Sequence, residues 1–293
     1  MSIFTISEKT CRGSRDAARA ARRKLPEYAD ELAAFHQAFA PELRTLVGSL
    51  PISPRMRVLD VACGDGFYTE LFAERLISPG AVTGLDANAA CLALARKRLA
   101  GRDWQCGVEL VAGPLERAPL PAGSFDFVWC AQSLFTLPDP VRALEQMGAS
   151  VRPGGFVAVL ENDTLHQLLL PWPYDLELAL RTAELEVISN GEESCDKFYI
   201  GRRLPEIFAA AGLEPLSGTT QAIDRRAPLD PSLRAFLEAH LSRLVQRVAP
   251  RLDPRRAREI GDLFDPENDA SLWRQPFASL TWLNRLQWAR RPD

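Results

Sequence analysis

The chain lacks the long apolar runs and the basic excess that would associate it with a membrane or with nucleic acid. No apolar run approaches the roughly 20 residues that cross a bilayer, and no signal-peptide core is present. A formal net charge of −3 argues against a nucleic-acid-binding surface, which normally carries a strong basic excess. The six cysteines are scattered without a C-x-x-C pair, which is typical of reduced thiols in a cytoplasm. We therefore expect a cytoplasmic protein with neither a membrane nor a nucleic acid as its partner.

The length is sufficient for one large α/β domain or for a core domain with a substantial insertion. The chain has 293 residues, of which 46% are hydrophobic and 25% charged, as is ordinary for a globular protein. We expect the main folded domain to span residues 26–293. Residues 1–25 carry seven basic and two acidic side chains, which predicts a mobile or surface-lying basic segment. A transit peptide is the less favoured alternative, because such peptides are poor in acids.

Strand and helix patterns alternate through the first half of the chain. Predicted strands occupy residues 56–62, 81–85, 108–112, 125–130 and 155–160. Predicted helices occupy residues 27–48, 67–76, 88–99 and 140–149. This alternation predicts a parallel sheet with helices on both faces. Right-handed crossovers then place the carboxyl ends of the strands on one side, where ligands bind.

The regular alternation stops after residue 160. Helices are predicted near 204–211, 231–248 and 254–264, and β-type segments near 214–225 and 279–288. We expect two insertions, about 162–200 and 228–275, to form a helical cap over the open edge of the sheet. Four Asp-Pro pairs, at 139–140, 230–231, 253–254 and 265–266, are expected to begin helices, with Asp as the N-cap and Pro in the first turn.

A glycine-rich turn follows the first predicted strand. Gly64 and Gly66 allow a ligand to lie against bare backbone, and Asp86 ends a second strand 20 residues after Gly66, a distance typical of an acid that binds ribose hydroxyls. A dinucleotide-binding loop would have a third glycine where this chain has Thr69. The loop therefore favours an adenosine ligand without a pyrophosphate, and S-adenosylmethionine is the obvious candidate.

Residues 58–66, Val-Leu-Asp-Val-Ala-Cys-Gly-Asp-Gly, resemble motif I of the class I S-adenosylmethionine-dependent methyltransferases, V-L-D-x-G-C-G-x-G. Four further segments follow in that family's order and spacing: 82–86, 113–116, 124–130 and 151–156. The resemblance is strong over residues 30–160. It implies an α/β, Rossmann-like, seven-stranded, mostly parallel sheet closed by an antiparallel last strand, and S-adenosylmethionine as the cofactor.

The resemblance also implies roles for single residues. Asp60 would bind the ammonium of the methionine tail, directly or through water; the alternative is an acid that ties down the glycine loop. Asp86 would bind the ribose hydroxyls, and its alternative role is the N-cap of helix 88–99. The remaining cofactor contacts would come from backbone and neighbouring side chains: Ala62, Gly64, Gly66, Ala87, Pro114, Leu115 and Cys130.

Two segments depart from known patterns. Many family members have Gly-Asp-Ala where this chain has Gly113-Pro114-Leu115, so adenine recognition would use backbone, packing of Leu115, or Glu116. After the strand 125–130, Cys130-Ala131-Gln132-Ser133 lacks the (Asp/Asn)-Pro-Pro-(Tyr/Phe) sequence that grips a flipped base. Base methylation is therefore disfavoured.

Candidates for acceptor chemistry are few. Among three histidines, His36 is the first candidate for a general base and His166 the second, with packing or surface roles as the alternative. Substrate contacts are assigned to Tyr28, Gln132, Tyr174 and Tyr199, against a core role for the tyrosines. Residues 163–196 carry eight acids and one arginine, so acids such as Glu184 and Glu186 either favour a cationic acceptor or form a solvated face.

The function predicted is methyl transfer from S-adenosylmethionine to a small molecule, through an oxygen, nitrogen or carbon nucleophile. Alternatives are a protein or RNA methyltransferase and a non-catalytic interaction protein with the same fold. A nicotinamide-dependent oxidoreductase is disfavoured by Thr69. No metal site is expected, and a monomer and a homodimer both remain open.

Overall fold

The computed structural model describes residues 24–163, 167–189, 198–265, 267–269 and 271–293. Its strands are β1 (Arg57–Val61), β2 (Ala81–Asp86), β3 (Gly107–Ala112), β4 (Phe125–Ala131), β5 (Val151–Asn162), β6 (Leu168–Leu169), β7 (Glu214–Arg226) and β8 (Ser279–Arg290). Its α-helices are α1 (Ala29–Gly48), α2 (Phe67–Ala73), α3 (Ala89–Leu99), α4 (Pro140–Ser150), α5 (Tyr174–Ser189), α6 (Leu204–Ala210), α7 (Pro231–Val248) and α8 (Pro254–Phe264).

The strands form one mostly parallel sheet, which confirms the predicted fold class. The order is β3-β2-β1-β4-β5-β8, with β7 on the far side of β8. Strands β1 to β5 are parallel, whereas β8 is antiparallel to both β5 and β7. The described residues give eight strands and not seven, because the two-residue β6 pairs with β8 through Leu168 and Trp282.

Both faces of the sheet are buried by helices. In β1, Val58 packs in a core with α1, α2 and α3, whereas Leu59 and Val61 pack in a second core with α4 and α6. Successive strand residues point to opposite faces, so a single strand such as β1 serves both cores. The carboxyl ends of β1 to β5 therefore lie at one edge of the sheet, where the glycine loop begins.

Helices α5, α7 and α8, from the two predicted insertions, pack into the same core as α1. Phe35 and Phe39 of α1 meet Phe236 of α7 with ring centroids 5.5 and 5.4 Å apart. This aromatic contact joins α1 to α7. Among the described helices, none combines the length and apolarity needed to cross a bilayer. The division into a catalytic domain, a cap and a basic segment over 1–25 stays a prediction.

Three of the four Asp-Pro pairs begin helices. The carboxylates of Asp139, Asp230 and Asp253 accept hydrogen bonds from backbone N–H groups in the first turns of α4, α7 and α8. The prediction for Asp265 is wrong. Its carboxylate accepts the N–H of Glu267 at 3.0 Å, and the described residues that follow form a turn. An Asp side chain caps turns as readily as helices, so the dipeptide alone does not predict a helix.

Candidate active site

The glycine loop needs glycine for two separate reasons. Gly64 and Gly66 have φ angles of +55° and +80°, in the left-handed region that favours glycine. A Cβ at Gly66 would also lie 2.9 Å from the Cβ of Ala95 on α3. The loop is therefore held against α3 with its backbone uncovered by side chains at these two positions.

Asp60 lies beneath this loop and is tied to it. The hydroxyl of Thr69 donates to Asp60 Oδ2 at 2.6 Å, and the two side chains are 0% and 1% exposed, respectively. Burial raises the pKa of Asp60 to about 7, with the charges of Asp86 and Asp65 adding to the rise and the Thr69 hydrogen bond opposing it. The contact with Thr69 matches the alternative role of a loop-fastening acid. Binding of a cofactor ammonium by Asp60 stays a prediction.

Asp86 connects the ends of β1 and β2. Its Oδ2 accepts the N–H of Gly64 at 2.9 Å, and its Oδ1 accepts the N–H of Asn88 at 2.7 Å. Asn88, and not Asp86, is the N-cap of α3, so the alternative role proposed for Asp86 is wrong. Asp86 is half-buried, burial raises its pKa, and the neighbouring Ala87 is exposed. The carboxylate thus remains beside the glycine loop with an open face next to it.

The segment after β3 approaches the same edge. The N–H of Gly113 donates to the backbone oxygen of Asp86 at 2.9 Å, and Pro114 precedes a single 3-10 turn, Leu115–Arg117. The Leu115 side chain is buried in the core with α4, whereas Pro114 is half-buried and Glu116 exposed. Of the three routes proposed for adenine recognition, this arrangement favours backbone and Glu116 over packing of Leu115.

The turn after β4 is strained and is held by an acid that the sequence interpretation missed. Gln132 has a φ angle of +51°, in the left-handed region. Among the described residues, Ala62, at +55°, is the one other non-glycine residue in that region. Glu161, at the carboxyl end of β5, accepts the N–H groups of Ser133 at 3.1 Å and Leu134 at 2.7 Å. It is 2% exposed, and burial raises its pKa to about 8 although these donors oppose the rise. The one available signal was an acid directly after the apolar run 155–160.

The side chains at the end of β4 divide between the core and the site. Cys130 is fully buried in the core with α4, which leaves its backbone and not its side chain available for the predicted cofactor contact. Burial raises the pKa of the Cys130 thiol, which keeps it neutral. The amide nitrogen of Gln132 is buried without a hydrogen-bond partner among the described residues, and its role toward an acceptor stays a prediction.

Helix α1 lies across the glycine loop. A Cβ at Gly64 would be 3.7 Å from Leu32, and His36, one turn further, stacks on Phe67 with ring centroids 4.2 Å apart. Tyr28, one turn before Leu32, is half-exposed. Burial is the main cause that raises the pKa of its hydroxyl, and the charges of Cys91 and Asp86 add to the rise. Leu32 and His36, four residues apart, therefore lie on one face of α1 over the loop, and Tyr28, the residue before the helix, precedes them by one turn.

Other predicted acceptor residues lie elsewhere. Tyr174 is 85% exposed at the start of α5, so the structure does not bring it into a pocket, while Tyr199 is half-buried beside Phe198. His166 lies outside the described residues. Glu184 is 2% exposed and pairs with Arg181 and Arg247, so it does not lie on a solvated face, whereas Glu186 is exposed. The charge of Glu184 is neutralised within the cap.

Comparisons with known proteins match this region of the chain. A family model described as a methyltransferase domain matches residues 59–159, from β1 to β5. The ubiquinone biosynthesis O-methyltransferase of Bordetella avium is 34% identical over 176 residues, which cover 59% of this chain and 67% of that relative. The demethylmenaquinone methyltransferase of Lysinibacillus sphaericus is 27% identical over 176 residues, covering 57% of this chain and 74% of that relative.

Other matches are shorter or concern the fold alone. The demethylmenaquinone methyltransferase of Staphylococcus aureus is 35% identical over 107 residues, and this match spans only 43% of that relative. Among solved structures, a putative methyltransferase from Bacillus halodurans has a TM-score of 0.55 and 18% identity, covering 86% of this chain and 100% of that one. At this identity the likeness shows the fold alone, and it extends beyond β1 to β5.

Proposed function

We propose a function from one premise: this chain belongs to the class I S-adenosylmethionine-dependent methyltransferases, and S-adenosylmethionine is its methyl donor. The residues at the sheet edge fit that cofactor. Gly64 and Gly66 leave the loop backbone bare, and the half-buried Asp86 carboxylate stands beside the exposed Ala87. Bound S-adenosylmethionine supplies a methyl carbon activated by a positively charged sulfur.

The proposed acceptor is a small aromatic molecule. The observation that carries this proposal is the position of α1, whose face with Leu32 and His36 covers the glycine loop while Phe35 and Phe39 fasten it to α7. A loop covered in this way favours a small acceptor enclosed with the cofactor over a polymer lying across an open edge. The printed names of the relatives, which concern ubiquinone and demethylmenaquinone, support an acceptor of the aromatic quinone-precursor type.

Within this proposal, each buried group has a task. Asp60 and Asp86 would hold the cofactor's ammonium and ribose, and Glu161 would keep the strained turn at Gln132 in place beside the acceptor. Methyl transfer is an in-line displacement, so the main requirement is alignment of the nucleophile with the carbon–sulfur bond and exclusion of water. Helix α1 would supply both by closing over the loop.

Calorimetry followed by methyl-label transfer tests the proposal. The protein should bind S-adenosylmethionine and S-adenosylhomocysteine but not NAD. Labelled S-adenosylmethionine is then offered with 1,4-naphthohydroquinone, 4-nitrocatechol, bulk tRNA and a mixture of proteins in separate reactions. Label in the small aromatic products supports the proposal. Label in tRNA or protein alone would overturn it in favour of a macromolecular acceptor, and cofactor binding without any transfer would favour the non-catalytic alternative.

A further inference from the structure

We infer that His36 is the general base for an acceptor hydroxyl and that Asp65, between the two loop glycines, positions its imidazole. This assignment deepens the proposed function and rests on it, because it gives the small aromatic acceptor an oxygen nucleophile. It concerns a pair of side chains from distant parts of the sequence, α1 and the glycine loop. Neither residue belongs to the cofactor contacts described above.

The imidazole of His36 is held in one orientation. Its Nδ1 lies 3.4 Å from Asp65 Oδ1. Its ring is stacked on Phe67 with an interplanar angle of 10°, and the ring of Tyr68 meets it edge-on with centroids 5.4 Å apart. His36 is 4% exposed. The Nδ1–carboxylate contact is longer than a hydrogen bond, as the contact between a base and its orienting acid often is before a substrate binds.

Asp65 is itself anchored as an anion. Its Oδ1 accepts the N–H of Phe67 at 3.2 Å, and its Oδ2 accepts a hydrogen bond from Arg98 of α3. Burial opposes its charge, but His36 and Arg98 outweigh burial and hold the pKa of Asp65 well below its usual range. An ionised carboxylate beside Nδ1 favours the tautomer with the proton on Nδ1. The lone pair is then on Nε2, the nitrogen that a base uses.

Buried polar atoms without partners extend from His36 toward β4. Four buried polar atoms have no hydrogen-bond partner among the described residues. They are the two nitrogens of His36, the hydroxyl of Tyr68 and the indole nitrogen of Trp129. The rings of Tyr68 and Trp129 are in contact, with centroids 5.3 Å apart. Each such buried atom costs about 1–3 kcal/mol if it stays unpaired. A contiguous line of them therefore indicates a polar group that binds there.

A positioned base favours a hydroxyl acceptor. The oxygen of an alcohol or phenol is a weak nucleophile until it loses its proton, so its attack on a methyl carbon is helped by a base. A neutral amine attacks with its own lone pair and can lose its proton afterwards. Nε2 of His36 can accept the hydrogen bond of such a hydroxyl. The arrangement around His36 therefore favours an alcohol or phenol over an amine.

The proposed step is balanced without any further reagent. The acceptor hydroxyl gives its proton to His36 Nε2 while its oxygen forms a bond to the methyl carbon. The carbon–sulfur bond breaks, its electron pair stays on sulfur, and the positive charge passes from sulfur to the imidazolium beside Asp65. The groups that face His36 are Asp65 of the loop, Tyr68 of α2 and, through Asp65, Arg98 of α3, with Asp60 near Tyr68. Asp65 is the acid in direct contact with the ring.

Nitrogen-15 NMR of the histidine rings tests the tautomer without an acceptor. In the complex with S-adenosylhomocysteine, His36 should carry its proton on Nδ1 and have an unprotonated Nε2 at pH 8. His36→Gln identifies its signals, and His240, which contacts Glu31 through Nδ1 at 2.7 Å, serves as an internal comparison. Asp65→Asn should remove the preference for Nδ1–H. If His36 keeps its proton on Nε2 in the unsubstituted protein, the nitrogen cannot act as a base and the inference fails.

Methylation of 4-nitrocatechol tests the base itself. His36→Gln should lower kcat by about 10²- to 10⁴-fold, as expected for loss of a general base, with S-adenosylhomocysteine affinity retained. Asp65→Asn should also lower kcat and leave S-adenosylhomocysteine affinity unchanged, because the imidazolium that forms during the reaction loses its stabilising anion. His240→Gln is the matched control and should leave kcat within about twofold. Unchanged kcat in His36→Gln would overturn the inference and leave the proposed function standing.

The failures of the two proposals are separable. If the protein methylates benzylamine but neither 4-nitrocatechol nor 1,4-naphthohydroquinone, the oxygen nucleophile is wrong and a small-molecule acceptor stands. If label enters only tRNA or protein, the proposed function is wrong, and the inference that deepens it fails too. In that case the tautomer measurement still shows whether Asp65 orients His36.

Discussion

On the proposal that Asp60 holds the ammonium of the cofactor, binding of S-adenosylmethionine should weaken as the pH falls below 7, because that contact requires an ionised carboxylate. Burial raises the pKa of this carboxyl to about 7, helped by the charges of Asp86 and Asp65 and opposed by the hydrogen bond from Thr69. In the free protein, Asp60 is therefore half-protonated near neutrality. A cationic group bound beside it lowers its pKa, so binding at lower pH must release a proton.

The magnitude follows from the pKa of the free protein. If only the ionised form of Asp60 binds, the dissociation constant increases by the factor 1 + 10^(7 − pH). The loss is about 11-fold at pH 6 and about 100-fold at pH 5, or about 1.4 and 2.7 kcal/mol. The half-buried Asp86, whose pKa is also raised, adds to the increase of the dissociation constant as the pH falls. The variant Asp60→Asn is therefore needed to separate the two contributions.

Isothermal titration calorimetry between pH 5 and 8, in buffers of different ionisation enthalpy, measures both the affinity and the protons released. Asp60→Asn should bind more weakly at pH 8 and show a much flatter pH dependence. Asp126→Asn is a suitable control, because Asp126 accepts from Arg57 and Arg152 at the opposite end of the sheet and should keep the slope of the unsubstituted protein. A dissociation constant that does not change between pH 8 and 5.5 would refute the reasoning, as would an equal slope in Asp60→Asn.

Four further predictions concern single residues. Asp60→Asn should stabilise the free protein by up to about 4 kcal/mol above pH 7, because the pKa of Asp60 is raised in the folded state and not in the unfolded state. The gain should vanish as the pH falls toward 3.8, and urea unfolding at several pH values measures it. Asp86→Ala should weaken cofactor binding by about 1.5–3 kcal/mol in calorimetry, and unchanged affinity in a folded variant would remove it from the site. Gly66→Ala should abolish cofactor binding and lower the melting temperature more than Gly101→Ala, which has a similar φ but open space around its Cβ. Glu161→Ala should cost about 2–5 kcal/mol in urea unfolding because two backbone N–H groups, one buried and one partly buried, lose their acceptor. Glu161→Gln should cost much less, and equal losses would contradict the contact.

The local pattern of the sequence was sufficient for the elements of the first half of the chain. The strand predicted at 81–85 is Ala81–Asp86, and the helix predicted at 140–149 is Pro140–Ser150. These bounds are set by neighbouring residues: an apolar run between turn residues in the first case, and Asp139 before a proline in the second. Such signals can be read without knowing what the element packs against.

Features that depend on distant pairing were not predictable in this way. Strand β5 was predicted to begin at 155 but begins at Val151, because Val151 pairs with Phe125 before an irregularity in the ladder. The two-residue β6 exists only because Leu168 meets Trp282 of β8. Neither segment has a local pattern that distinguishes it from a loop. Partners far along the chain decide both.

The same division applies to the site. Motif spacing placed Asp60 and Asp86 at the sheet edge. It did not predict that Asn88, and not Asp86, caps α3, or that Asp86 accepts a hydrogen bond from Gly64. Glu161 was missed because a single acid after an apolar run matches no motif. Its importance comes from the two backbone N–H groups that the turn after β4 points toward it.

The acids at this edge also explain why sequence spacing alone could not predict how the site behaves with pH. Asp60 and Glu161 are each at least 98% buried, because α1, α2 and the turn after β4 close over strand ends that bare spacing would leave open. Burial raises both pKa values to within about one unit of neutrality. Two carboxyls that ionise reluctantly make the free protein less stable at pH 8, and a cation bound among them offsets that loss. The edge proposed to bind the cofactor should therefore be the part of the fold that the cofactor stabilises most, which hydrogen exchange with and without S-adenosylhomocysteine can measure at β1, β4 and α2.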